Sequence, residues 1–143
     1  MIIDGGFEIT NSITTEEYLE LRQSVEWSKL PAEEAEMSLT HSAFLCCIRK
    51  DGKAVGFGRL IWDHGYMVLV SDIIVRPEYQ GQGLGRVIME TLMEQVQGFL
   101  KPGYRIMVNL MANKGKEGFY RKFGFIERPN EEVGCGMHQW LDG

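Results

Sequence analysis

Hydrophobic and polar positions along this 143-residue chain change period several times, and each change marks an element. Phe7 to Ile13 is a short strand-like run. Thr14 followed by Glu17 is a capping-box pattern, and Tyr18, Leu21 and Val25 then recur at helical spacing. Pro31 ends or restarts that helix, and Ala32 to Leu39 reads as a second, weaker one. Ala43 to Arg49 and Lys53 to Trp62 read as strands joined by Asp51-Gly52, a dipeptide suited to the positive φ angles of a tight hairpin. After the turn Asp63-His64-Gly65, Met67 to Val75 is almost continuously apolar, which predicts a strand covered on both faces.

Beyond Val75 the pattern becomes helical. Arg76-Pro77-Glu78-Tyr79 is a turn and Gln80-Gly81-Gln82-Gly83-Leu84-Gly85 follows it. Leu84, Ile88, Leu92, Val96 and Phe99 then share one side of a helix, with Glu90, Glu94 and Gln97 on the other. Pro102-Gly103 stops it. Tyr104 to Met111 alternates, placing Ile106, Val108 and Leu110 on one face. Glu117 to Lys122 predicts a short helix ended by Gly124, and Phe125 to Arg128 and Met137 to Trp140 read as final strands. This order predicts an α+β fold, a mixed sheet of about seven strands flanked by about four helices. With no linker, repeat or low-complexity tract, residues 1–143 are expected to form a single domain.

Composition narrows the possible partners. A chain with 44% hydrophobic and 24% charged residues has too much apolar content for disorder. Its net charge of −5 argues against a nucleic-acid backbone as the main partner. No run of 18 apolar residues exists and the first residues lack a signal-peptide pattern, so neither a membrane partner nor secretion is expected. Three cysteines, two of them adjacent, draw neither a disulfide framework nor a metal site; reduced thiols, a cytoplasmic location and no metal are the expectation. The oligomeric state stays open, a homodimer included.

The segment that carries chemistry is the glycine loop between a strand and an amphipathic helix. Glycines let backbone N–H groups converge, and the first turn of a helix leaves unpaired donors and partial positive charge, a combination that suits phosphate. Arg76 and Arg86 flank the loop. The spacing gives neither a dinucleotide fingerprint, which would need glycine where Arg86 stands, nor the Gly-Lys-Ser/Thr of a P-loop. On its own the loop is equally a helix entry with no ligand.

Gln80-x-x-Gly83-x-Gly85, after a strand ending Ile73-Ile74-Val75-Arg76-Pro77-Glu78, resembles the acetyl-CoA signature of the GNAT superfamily of N-acetyltransferases. A second motif adds to it: Asn113, then seven residues on Tyr120, within Gly118-Phe119-Tyr120-Arg121-Lys122-Phe123-Gly124-Phe125. The resemblance runs from about Phe7 to Trp140. The long connection through the helix at Gly83 to Leu100 predicts that the strand from Tyr104 runs parallel to that from Met67. The resemblance implies that the sheet splays between them, and that an acetyl group passes from acetyl-CoA to a primary amine through a ternary complex. By the same resemblance the backbone of Ile73, Ile74 and Val75 pairs with the cofactor's arm and acetyl carbonyl. Gln80, Gly81, Gln82, Gly83, Leu84, Gly85 and Arg86 cradle the pyrophosphate, Asn113 contacts the cofactor, and Tyr120 is the proton donor to the departing thiolate. Lys116 departs from the pattern, standing where most members carry a small apolar residue.

The general base is not evident. The positions best aligned with a base in relatives are Leu69 and Ser71, neither competent. Asp72 is the one ionisable group nearby on that strand, and it reads either as the base or as a structural carboxylate beside a strand distortion. His64, or water relaying the proton to bulk, remains open. Tyr18, Arg22, Trp27, Glu33 and Trp140 are candidates to line the acceptor site, each equally readable as core or surface. A non-catalytic acetyl-CoA-binding module on the same fold is the alternative to an enzyme; the residues do not name the small-molecule or peptide amine.

Overall fold

In the computed structural model, which describes residues 1–143, the chain divides into two compact units, Met1–Asn109 and Leu110–Gly143. The first holds one six-stranded sheet in the order β1 (Ile2–Ile3), β2 (Phe7–Thr10), β3 (Phe44–Lys50), β4 (Lys53–Trp62), β5 (Met67–Val75) and β6 (Met107–Asn109). The first five strands are antiparallel neighbours, and β6 runs parallel to β5. Helices α1 (Thr15–Ser24) and α2 (Ala32–Thr40) lie between β2 and β3, and α3 (Leu84–Phe99) makes the crossover from β5 to β6.

Local signals place these elements. The Thr14 hydroxyl accepts from the Glu17 N–H and the Glu17 carboxylate accepts from the Thr14 N–H, closing the capping box that starts α1. Asp51 and Gly52 both take positive φ, 49° and 80°, as the β3–β4 hairpin requires. The apolar stripe of α3 is buried at Leu84, Ile88, Leu92 and Val96, joined by Met89.

Cross-strand register decides which helix covers which face. Cys47, Phe57 and Ile74 stand opposite one another on β3, β4 and β5 and pack with Tyr18, Leu21, Ala35 and Leu39 of α1 and α2. The alternate row, Cys46–Gly58 and Ile48–Gly56, faces α3. A Cβ on Gly58 would stand 2.6 Å from Ile88 Cγ2 and 2.7 Å from Ile73 Cδ1, so glycine is what lets α3 lie this close to β4.

Two features of β5 depart from a plain strand. Phe57 pairs with Ile74 but Arg59 pairs with Ser71, so Asp72 and Ile73 together oppose Gly58: a β-bulge with its extra residue on β5. Pairing with β6 stops at Leu69–Asn109, leaving Val70 to Val75 with no strand on that side, which is the splay implied by the resemblance. Coverage of β5 is less complete than its composition predicts, because Leu69, Ser71, Ile73 and Val75 are only half-buried.

The second unit contains α4 (Glu117–Arg121), and Gly124, at φ 87°, follows it with its N–H on the Arg121 carbonyl. The strand expected over Tyr104–Met111 contracts to Met107–Asn109. Those expected at Phe125–Arg128 and Met137–Trp140 are absent, and β1 at Ile2–Ile3 was not expected, so the sheet has six strands where about seven were predicted. No ladder forms there: Asn130 caps a local turn toward Glu132 and Val133, and Ile126 and Trp140 are each 78% exposed. Alternation in sequence makes a strand only where a partner strand accepts its hydrogen bonds.

Candidate functional site

At the β5 bulge lies a largely buried cluster of charges. Asp72 occupies the left-handed region at φ 57°, a conformation that aspartate tolerates better than most residues. Its Oδ2 accepts from the Tyr18 hydroxyl at 2.5 Å and from Arg59 Nε at 2.7 Å, and its Oδ1 lies 3.7 Å from Arg22 Nη1. Tyr18 and Arg22 stand one turn apart on α1. Arg22 Nη2 also donates to the Ser28 carbonyl, and Arg59 Nη1 reaches the Ser42 hydroxyl and the Ser38 carbonyl at the end of α2. Burial, reinforced by the Asp72 charge, pushes the Tyr18 phenol up to about 12, so it keeps its proton and serves Asp72 as donor. Two guanidiniums therefore share one carboxylate. Removing one partner from a fully buried pair costs about 3–5 kcal/mol, and with these side chains 10–12% exposed the cost here is expected to be smaller.

Downstream of the bulge, β5 leads through a single 3-10 turn at Pro77–Tyr79 into the glycine loop. Gln80 Nε2 donates back to the Val75 carbonyl at 2.9 Å, and Arg76 is tied to β4 through Nε on the Ala54 carbonyl at 2.8 Å. Gly81 and Gly83 take φ of 79° and 82°, and a Cβ on either would meet nothing within 4 Å. Gly83 is the N-cap of α3, no side chain caps that terminus, and its first turn carries no acidic residue. The helix entry thus offers unpaired N–H donors in open space. Arg86 is exposed and paired with Glu90 at 2.6 Å.

Asn113 and Tyr120 belong to the second unit. Asn113 is exposed, and its carbonyl accepts from the Lys116 N–H at 2.9 Å in the turn before α4. Tyr120 is half-buried and meets Phe119 and Phe125 edge-on, at centroid distances of 5.0 and 6.3 Å. Burial raises its phenol above the ordinary value, so the proton stays on Oη through the neutral range.

The structure redistributes the acceptor candidates. Tyr18 and Arg22 are buried and occupied by Asp72, while Trp27 is half-buried with Arg22 5.4 Å from its ring centroid. Glu33 is exposed in the first turn of α2 and Trp140 is exposed in the second unit. His64, at φ 67°, packs on Trp62 in the turn entering β5 at Met67, five residues and about 17 Å of strand before Asp72. A shallow depression of about 250 Å³ at that same end is lined by Gly65, Tyr66, Tyr104 and Arg105. Arg59 was not among the sequence candidates, although a charged residue inside the apolar run from Val55 to Ile61 marks a position that needs a buried partner. Three or more His, Cys, Asp or Glu side chains do not gather anywhere as a metal-binding group, and no helix is long and apolar enough to cross a membrane.

Comparison with known proteins bears on the same segments. The acetyltransferase (GNAT) domain family matches residues 41–127. An uncharacterised N-acetyltransferase, Ycf52, of Porphyra purpurea is 34% identical over 125 residues, covering 85% of this chain and 70% of its own. Among solved structures, a protein of unknown function from meticillin-resistant Staphylococcus aureus superposes with a TM-score of 0.83 at 31% identity, over 94% of this chain and 99% of the other. A GNAT-family acetyltransferase from Streptococcus pneumoniae gives 0.77 at 28% identity, over 95% and 98%.

Proposed function

The chain belongs to the GNAT superfamily and is an N-acetyltransferase, and from that premise we propose that it moves an acetyl group directly from acetyl-CoA to a primary amine within a ternary complex. The observation that carries this reading is the entry to α3. Gly81 and Gly83 hold positive φ with free space above them, and the helix terminus they open is uncapped and free of acidic side chains. These features fit a pyrophosphate, whose charge is favoured at a helix N-terminus. We assign the backbone of Gln80 to Arg86 to that group, and the unpaired side of Ile73–Val75 to the pantetheine arm and acetyl end. Acetyl-CoA, used by this family, supplies an activated acetyl group on a thioester.

The remaining roles fall to side chains of this protein. Tyr120, its proton held on Oη, is proposed to protonate the departing sulfur, and Asn113 to contact the cofactor. For removal of the amine's proton, the engagement of Asp72 by Tyr18, Arg59 and Arg22 favours its structural reading. The distance of His64 along β5 counts against that residue, so water is assigned the relay. Direct transfer is supported by the thiols of the first unit: burial pushes Cys46 up to about 12 and Cys47 to about 11, which leaves neither as a thiolate nucleophile. Free thiols, buried at Cys46 and Cys47 and exposed at Cys135, fit the cytoplasm, although relatives from Arabidopsis thaliana are named chloroplastic. The family match crosses from residue 109 to residue 110, which supports treating both units as one functional domain.

The test is CoA release from acetyl-CoA with a panel of arylalkylamines, polyamines, amino sugars and peptides. Turnover dependent on at least one amine is expected. Tight CoA binding with no turnover across the panel would favour a non-catalytic acetyl-CoA-binding module.

A further inference from the structure

Asp72 is the extra residue of the β5 bulge and takes a left-handed conformation that an L residue adopts at a cost. What holds it there comes from three other elements. Tyr18, on α1, donates to Oδ2, and Arg59, on β4, donates to the same oxygen while its Nη1 is fixed at Ser38 of α2 and at Ser42 just beyond that helix. Arg22 closes the opposite side of the carboxylate. The residue after Asp72 begins the stretch Ile73–Val75, which has no partner strand on its β6 side. On the other side, Ile73 is pinned against Gly58 and α3. The orientation of that free backbone edge therefore depends on the dihedral angles at Asp72, and those depend on the side chains gripping its carboxylate.

We propose that Tyr18 and Arg59 are positioning residues for acetyl transfer, which act through the Asp72 carboxylate to hold the backbone of Ile73–Val75 in line with the acetyl group. This rests on the reading that Ile73–Val75 binds the acetyl end of the cosubstrate. Neither residue touches a reactant. Their contribution is geometric, and geometry matters in such a site, because displacing a reacting group by about 1 Å can cost about 10²-fold in rate. The pyrophosphate site at Gly81–Gly85 lies beyond Val75, on a segment the bulge does not shape, so the grip on Asp72 should affect turnover more than cofactor affinity.

Tyr18→Phe tests this, since it keeps the ring packed on Phe57 and removes the donor to Asp72, together with the long 3.5 Å contact from Arg22 Nη1 to the same hydroxyl. The expected result is a fall in kcat of about 10- to 100-fold, with the Kd for CoA changed less than twofold and the acid limb of the kcat/KM profile unmoved. A variant that is less stable but turns over normally per folded molecule would overturn the proposal, showing the hydrogen bond to be structural only. A displaced acid limb would overturn it too, since Asp72 would then be handling the proton itself. If Tyr18→Phe does not fold, Arg59→Lys keeps the charge and removes the Nε donor, and the same results apply. Wild-type protein that fails to bind CoA would remove the underlying reading and this proposal with it; CoA binding with unchanged kcat in the variant removes the proposal alone.

Discussion

Tyr120 and Asp72 show how differently two ionisable groups can be used. Asp72 is surrounded by donors, which supports the reading that its charge holds a backbone distortion. Tyr120 sits among aromatic rings, and that burial keeps its phenol protonated. A phenol with its proton in place is a usable acid toward a thiolate, whose conjugate thiol has an ordinary pKa of about 8.5. Tyr120→Phe is therefore expected to lower kcat by about 10²-fold while the melting temperature and CoA affinity stay near wild type. Because the phenol is raised rather than lowered, its deprotonation should cost no activity below about pH 10. Loss of stability with full turnover per folded molecule would assign the hydroxyl to packing. The motif Gly118–Phe125 marks this residue plainly in the sequence. Arg59 and the grip on Asp72 could not be read there, because residues 13 positions apart meet only once the β4–β5 bulge has formed.

Elements were legible where their signal is local. The capping box at Thr14–Glu17, the Asp51-Gly52 turn and the stripe of α3 each rest on residues within one turn or one face of each other, and each forms as predicted. The last two expected strands had alternation alone, and without a ladder the segment stays irregular. Glu17 also links α1 to β3: Arg49 donates to both of its oxygens, at 2.5 and 3.0 Å. The Arg49 hydrogen bonds, aided by the N–H of Thr14, draw Glu17 from 4.5 down to about 2. A carboxyl depressed in the folded state stabilises fully above its unfolded value and loses that contribution as pH falls through the folded one. Acid unfolding followed by urea titration should thus show stability lost between about pH 4.5 and 2 in wild type. The Glu17→Gln variant should lack that part of the pH dependence and be less stable at pH 7. Parallel curves for the two proteins would mean that the pair contributes nothing.

Across the whole chain, the sheet serves a short stretch of backbone. The antiparallel strands β1 to β4 and the helices α1 to α3 frame β5, its bulge and the uncapped start of α3, while β6 pairs with β5 only as far as Leu69. The edge left free and the glycine loop are consecutive in sequence, which is why the first of the two motifs behind the family resemblance could be read there while the side chains that hold it in shape could not. Calorimetric titration of CoA into wild type, Gly83→Asp and Gly83→Asn tests this account most directly. Both substitutions place a side chain at φ 82°, a conformation that Asp and Asn tolerate better than other residues, and only one adds negative charge. If the entry to α3 holds the pyrophosphate, wild type binds CoA, Gly83→Asp remains folded and loses at least about 10²-fold in affinity, and Gly83→Asn loses much less. Equal CoA affinity in wild type and Gly83→Asp would contradict the account and move the cofactor site elsewhere.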